Sequence, residues 1–126
     1  MKKALLTLLF VSAVCRINAQ SLSDGEYFIK VVKTGKYLGI LGADKKNGAL
    51  AVQWDTQFES NYKFILTNVG NSLYTLKAAH SGLYLSTEGS NPARGAKLLQ
   101  WDWLNQENQK WIIVPHKNGK GYVMRS

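Results

Sequence analysis

Short apolar runs rich in β-branched and aromatic residues, separated by turns that contain glycine, occupy most of the chain. Such runs follow the spacing of strands rather than of helices, and a glycine in the intervening turn can adopt positive φ. We expect turns at 34–36 and 80–82, and no helix after residue 19. The predicted strands are 27–31, 37–41, one around Trp54, 63–69, 73–79, 83–87, one around Trp101 and 110–115.

The chain also repeats itself, with identical residues recurring 47 positions apart. Matches in uncommon residue types at a single offset are very unlikely to arise by chance, and four short strands in each copy indicate an all-β barrel or trefoil. The predicted copies are repeat one (24–71), repeat two (72–118) and the start of a third repeat (119–126). The pairs include Tyr27 with Tyr74, Gly35 with Gly82, Trp54 with Trp101, Asp55 with Asp102 and Asn61 with Asn108.

The N-terminus has the pattern of a secretory signal peptide. Two lysines precede an apolar run at 4–14, and Ala19 provides a small residue at the expected cleavage position. The run is too short to span a bilayer as a helix, and a buried N-terminal helix is the alternative. We therefore predict a secreted protein, extracellular or periplasmic, whose mature domain is 20–126.

Charge and cysteine content narrow the class of protein further. The 126 residues carry a net charge of +8, with 45% hydrophobic positions, which is enough for a small core. Cleavage of the signal removes Lys2, Lys3 and Arg16 and leaves 13 basic and 8 acidic residues, so the net charge of the mature chain is +5. Cleavage also removes Cys15, which is the single cysteine. The remaining lysines are dispersed, so we expect no nucleic-acid partner and no disulfide.

The motifs resemble the repeat of ricin B-type lectins, which form a β-trefoil. Each copy carries Tyr-Leu, Gly-Ala and Trp-Asp in the same order, and repeat two ends with Asn108-Gln109-Lys110-Trp111. The resemblance covers 24–126. It implies that three repeats close a six-stranded barrel with a hairpin cap, that Trp111 and Phe64 are core residues, and that the protein binds carbohydrate.

A sugar ring requires an aromatic surface for its C–H face and fixed polar groups for its hydroxyls. Trp54 or Trp101 could serve with the aspartate that follows only where the strand ends or bulges, because adjacent strand residues point to opposite faces. Two alternatives stay open: the indoles cover the barrel, and the asparagines form turns. The candidate carbohydrate-binding residues are Trp54, Asp55, Asn61, Trp101, Asp102, Asn108 and Gln109.

One departure from the family pattern affects both repeats. Lectins of this type carry an aspartate directly after the Tyr-Leu of the second strand, whereas this chain has Gly39 and Ser86. Binding must therefore be rearranged or lost at these positions, and repeat two is the better candidate because Asn108-Gln109 is complete. A non-sugar-binding trefoil, used for protein contact or as a structural appendage, is the alternative function. A third is a glycan-active enzyme whose catalytic part is absent from this chain.

The sequence gives no support for catalysis or a cofactor. After signal removal there is no cysteine, and His80 and His116 do not occupy matching positions in the repeats. A nucleophilic triad and a metal cluster both need closer histidine or cysteine groupings. We expect no enzyme activity, no metal and no cofactor.

The length corresponds to about two and a quarter repeats. A barrel without most of its third repeat would have unpaired strand edges, with Tyr122 and Met124 lacking partners. We therefore expect that the chain is truncated or completes itself by association with another copy.

Overall fold

The computed structural model describes residues 3–10, 21–55, 59–89 and 95–126. In these residues the chain forms ten strands and three short 3-10 turns. The strands are β1 Lys3–Phe10, β2 Gly25–Val31, β3 Tyr37–Ile40, β4 Ala51–Trp54, β5 Lys63–Gly70, β6 Leu73–Ala78, β7 Tyr84–Thr87, β8 Leu98–Trp101, β9 Trp111–Pro115 and β10 Tyr122–Arg125. No helix in this described part is long and apolar enough to cross a membrane.

The predicted strands are confirmed with small differences at their ends. The sequence pattern does not predict the 3-10 turns at Leu41–Ala43, Ser60–Tyr62 and Glu107–Gln109, because three residues are too few to carry a periodic signal. The turn at Ser60–Tyr62 leads directly into β5, and the turn at Glu107–Gln109 lies just before β9. These two turns therefore set where the fourth strand of each repeat begins.

Six strands pair in a closed antiparallel ring, in the order β1, β2, β5, β6, β9, β10 and back to β1. The β3–β4 and β7–β8 pairs extend from this ring as two-stranded hairpins. The predicted fold class, an incomplete β-trefoil, is confirmed. Only β10 of the third repeat is present among the described residues, and β1 takes the remaining place in the ring.

One expectation from the sequence and one alternative are wrong at this place in the ring. Met124 is buried in the core, and Tyr122 packs against that core, so neither lacks a partner. The reason is that β10 is paired on both sides, with β9 and with β1. The alternative of a buried N-terminal helix is also wrong for residues 3–10, which form a strand.

The core lies inside the ring and is built from equivalent positions of the repeats. Phe64 and Trp111 are both buried, as predicted, and the Trp111 indole Nε1 donates a hydrogen bond of 3.0 Å to the Leu85 carbonyl. Tyr27 and Tyr74 are fully buried, and their hydroxyls donate to the carbonyls of Ser23 and Leu22 at 2.7 and 2.8 Å. The segment before β2 therefore closes one end of the core.

Hydrogen bonds outside the core recur at the same offset as the sequence identities. The Gly35 amide donates to Val31, and the Gly82 amide donates to Ala78, both at 2.8 Å. Both glycines have positive φ, +70° and +74°, as the predicted turns require. The turns between the first and second strands of the two repeats are therefore built in the same way.

Candidate functional site

The third strand of each repeat ends at the predicted tryptophan. β4 ends at Trp54 and β8 at Trp101, so Asp55 and Asp102 lie just beyond the strands. Trp54 is 60% exposed and Trp101 is 40% exposed, which excludes both indoles from the barrel core. Because the strands end here, each aspartate is released from the strict alternation of strand side chains, the condition needed for one ligand to meet both residues.

Repeat two adds further aromatic rings to Trp101. Tyr84 lies directly opposite Trp101 in the β7–β8 register, which places their side chains on the same face. The Trp103 ring packs on Tyr84 with 4.9 Å between centroids and 43° between planes, and Trp103 remains 41% exposed. We call Tyr84, Trp101 and Trp103 the repeat-two platform.

Sequence reasoning missed Trp103 and Tyr84. Trp103 lies two residues after Trp101, and Thr56 occupies the equivalent position in repeat one, so the repeat comparison did not select it. Thr56 falls within 56–58, outside the described residues. The available signal was a third tryptophan within a polar segment, where a large apolar side chain has no core to enter.

Asp102 is held beside the platform by a residue from repeat one. Asn47 Nδ2 donates to Asp102 Oδ2 at 2.7 Å, and the Asp102 amide donates to Asn47 Oδ1 at 2.8 Å. This reciprocal pair fixes the orientation of the carboxylate while leaving the residue exposed. The loop 41–50 of repeat one therefore helps to build the repeat-two site, a contact that no local motif could reveal.

The same loop is anchored by the buried side chain of Gln100. Its Nε2 donates to the carbonyls of Asp44 and Lys46, each at 2.8 Å, and its Oε1 accepts from Ser81 Oγ at 2.8 Å. The Gly48 amide also donates to the Gln100 carbonyl at 2.8 Å. Gln100 therefore uses its amide group to connect three segments and to hold the loop against β8.

The two predicted asparagines hold the ends of second strands. Asn61 Nδ2 donates to the Ile40 carbonyl at 3.0 Å. Asn108 Nδ2 donates to the carbonyls of Thr87 and Gly89 at 2.9 and 3.0 Å. The geometry supports a backbone-binding role for both, and it connects Asn108 to the turn after β7 rather than to the platform.

Gln109 is buried, with 1% of its surface exposed, and its amide group is fully engaged. Nε2 donates to Ser86 Oγ at 3.2 Å and to the Asp102 carbonyl at 2.7 Å. Oε1 accepts from the Leu104 amide at 2.8 Å. Gln109 therefore positions the main chain of residues 102–104, including Trp103, and has no free donor for a sugar hydroxyl.

The position of the missing family aspartate is covered in both repeats. In repeat one a Cβ added to Gly39 would lie 2.5 Å from Cε1 of Tyr62 and closer still to Cδ1, so the tyrosine ring rests on the glycine. In repeat two Gln109, which occupies the equivalent position to Tyr62, contacts Ser86. In both repeats a side chain from the turn before the fourth strand therefore contacts the residue that replaces the family aspartate.

The seven predicted residues therefore separate into two groups. Trp54, Asp55 and Asn61 belong to repeat one, where Tyr37 lies opposite Trp54 and Lys30 Nζ is 5.9 Å from the centroid of the Tyr37 ring. The remaining four belong to repeat two, which has the larger aromatic surface. No group of three metal-ligating side chains was found in the described parts of the chain.

Comparisons with known proteins support the structural description. The family model described as ricin-type beta-trefoil lectin domain-like matches residues 60–126. No curated protein matches the sequence. The designed 3-fold symmetric protein ThreeFoil is 28% identical, with a TM-score of 0.73 over 86% of this chain and 70% of that one.

Two further structures share the fold at lower identity. The exo-beta-1,3-galactanase 1,3Gal43A from Clostridium thermocellum is 22% identical, with a TM-score of 0.74, and the match covers 86% of this chain and 21% of the enzyme. The Polyporus squamosus lectin, solved with the epitope Neu5Aca2-6Galb1-4GlcNAc, is 13% identical, with a TM-score of 0.56, covering 86% of this chain and 34% of the lectin. This chain thus spans only a fifth to a third of those two proteins. With a family model matching more than half of its residues and a trefoil arrangement of strands, the chain belongs to the ricin-type beta-trefoil lectin domain-like family.

Proposed function

We propose that the chain is a secreted, non-enzymatic lectin-like module that binds glycans or polysaccharide through shallow repeat sites. The observation that carries this proposal is the repeat-two platform beside a carboxylate whose orientation is fixed by Asn47. Family membership supports the same class of ligand.

The platform offers the two elements that sugar recognition needs. The exposed indoles of Trp101 and Trp103 can cover the apolar C–H face of a pyranose ring. The Asp102 carboxylate can accept hydrogen bonds from sugar hydroxyls, and a charged acceptor makes stronger bonds than a neutral one. Trp54 with Asp55 provides a smaller second site, so two weak sites on one chain would favour polymeric or clustered glycans.

Secretion rests on the predicted signal peptide with cleavage near Ala19 and is part of the proposal. A surface-exposed platform is useful where glycans are displayed outside the cell. The lysines after residue 19 are spread along the sequence in runs no longer than two, which favours carbohydrate over nucleic acid as the ligand.

The test is a glycan array and a polysaccharide pull-down with purified protein, followed by titration of tryptophan fluorescence with the ligands retained. Trp103→Ala and Asp102→Asn are expected to weaken binding by about tenfold each, the equivalent of one aromatic contact or one charged hydrogen bond. Asn47→Ala is expected to weaken binding by less than Asp102→Asn, because the carboxylate remains but loses its fixed orientation.

Trp54→Ala is the matched control, since it removes an exposed indole at the equivalent position of repeat one. It should leave monovalent binding at the platform unchanged. Full binding by the Trp101→Ala, Trp103→Ala double variant would exclude the platform as the site.

A second function is favoured by the covered positions at Gly39 and Ser86, because the family aspartate is absent and its place is filled by protein. On this view the trefoil is a protein-contact module or a structural appendage. Normal folding without binding to any glycan on the array would favour it.

A further inference from the structure

We propose that residues 3–10 act as the sixth barrel strand of a chain that retains them, and that the seam between β2 and β10 is an acceptor site for this strand. The proposal concerns how the barrel is completed in the form that keeps residues 3–10, as distinct from the cleaved, secreted form proposed above, and it does not depend on carbohydrate binding.

β1 is paired along its whole length. Its first half pairs with β10, from Lys3 opposite Arg125 to Leu6 opposite Tyr122. Its second half pairs with β2, from Leu6 opposite Val31 to Phe10 opposite Tyr27. Each of the eight residues thus has a register partner, and Leu6 has one on each side.

The seam needs a strand that runs antiparallel to both of its edges. Without β1, the N–H and C=O groups of β2 and β10 that face the seam would have no strand partner, which leaves two adjacent sheet edges open. Ile29 in β2 and Met124 in β10 are buried in the core. An open seam would therefore expose core side chains as well as backbone.

Residues 3–10 have the chemistry that this seam requires. After Lys3, the segment contains no charged residue up to Phe10 and consists mainly of leucine. A strand of this composition can pair with both edges without placing a charge in the middle of the seam. Because the segment belongs to the same chain, its effective concentration at the seam exceeds that of a second copy in dilute solution.

The same residues form the apolar part of the predicted signal peptide. Closure of the barrel and export with cleavage after Ala19 are therefore alternative fates of one segment. A chain that keeps residues 3–10 has a closed barrel, whereas a cleaved chain has an open seam that another strand must fill.

Disulfide cross-linking of the full-length chain, produced without export, tests the placement directly. In a Cys15→Ser background, the pairs Leu5→Cys with Val123→Cys and Thr7→Cys with Lys30→Cys join register partners on the two sides of β1. Both pairs should form an intramolecular disulfide in most molecules on mild oxidation. Thr7→Cys with Lys33→Cys is the matched control, since Lys33 lies beyond the end of β2, and it should form at least fivefold less.

Two results would overturn the proposal. Absence of cross-linking above the control at either edge would show that β1 is not in the seam. Products of dimer size on a non-reducing gel would show that a second copy supplies the strand.

A stability measurement tests the backbone pairing of β1 independently of cross-linking. Leu6→Pro removes a backbone donor in the middle of β1 and should lower Tm by about 10 °C or more, whereas Leu6→Val should change it by only a few degrees. Equal Tm values for the two variants would contradict a structural role. If Leu6→Pro fails to fold, the result agrees with the proposal, and the cross-linking pairs remain the test that can refute it.

Discussion

Substitution of Gly39 by alanine should destabilise the fold because of one specific contact. Gly39 lies in β3, and the ring of Tyr62 occupies the space that a Cβ at this position would need. The backbone of Gly39 is not in the left-handed region, so alanine introduces no backbone strain there. Any loss of stability must then come from the clash between the new methyl group and the ring.

The expected magnitude follows from two opposing effects. The added Cβ would lie 2.5 Å from Cε1 of Tyr62, whereas carbon atoms rest at about 3.5–4.0 Å, so the ring or the strand must move by about 1 Å. Overpacking of this kind costs about 1–3 kcal/mol. Alanine recovers about 0.5–1 kcal/mol by restricting the unfolded chain, so the net loss is about 1–2 kcal/mol.

A double-mutant cycle with Tyr62→Gln isolates this contact. Glutamine is the residue that repeat two uses at the equivalent position, above Ser86, which already carries a Cβ. In the Tyr62→Gln background, Gly39→Ala should become neutral or slightly stabilising, which gives a coupling energy of about 1 kcal/mol or more. Urea unfolding followed by tryptophan fluorescence measures all four proteins. Additive effects in the cycle would refute the argument that the tyrosine ring requires glycine.

Two further predictions concern the core. Trp111→Phe should lower the free energy of unfolding by about 2–4 kcal/mol in urea titrations, because it leaves the Leu85 carbonyl unpaired and the indole site partly empty; a loss below about 0.5 kcal/mol would contradict this. Burial raises the pKa of the Tyr27 and Tyr122 phenols. The folded state therefore holds the phenol protons more tightly than the unfolded chain does. The contribution to the free energy of unfolding is fully present below pH about 10, the pKa in the unfolded chain, and is lost as the pH rises through the raised pKa values of the folded state. Unfolding measured between pH 8 and 11 should show a shallower decline for Tyr122→Phe than for the unchanged protein.

The strands and their order could be predicted because they depend on local patterns that occur twice. A turn such as 34–36, with glycine at its centre, and an apolar run on either side are sufficient to define a hairpin. Each element in one repeat is supported by its copy in the other, and the resemblance of Gln109-Lys110-Trp111 to the lectin motif implies that Trp111 is a core residue. These features need no information about distant contacts.

The site could be predicted only in part, because the orientation of Asp102 depends on a contact between the two repeats. Asn47 reaches Asp102 across the repeat boundary, and nothing in the local sequence of either residue specifies that pair. Position 109 has the glutamine expected for the family, yet the side-chain amide of Gln109 is fully hydrogen-bonded to Ser86, Asp102 and Leu104. A motif gives the identity of a side chain, whereas the number of its hydrogen-bonding atoms left free is decided by the folded environment.

A single difference between the repeats explains both the closed second-strand positions and the location of the platform. In repeat one the Tyr62 ring occupies the space that a Cβ of residue 39 would need, so that residue must be glycine. In repeat two Gln109 stands at this position, and because an amide can bond to the backbone, it binds the Asp102 carbonyl and the Leu104 amide. That attachment fixes the main chain on either side of Trp103 and holds its ring against Tyr84. Closing the family position in repeat two therefore adds Trp103 to the pair formed by Tyr84 and Trp101, whereas the sequence of repeat one has Thr56 at the position equivalent to Trp103.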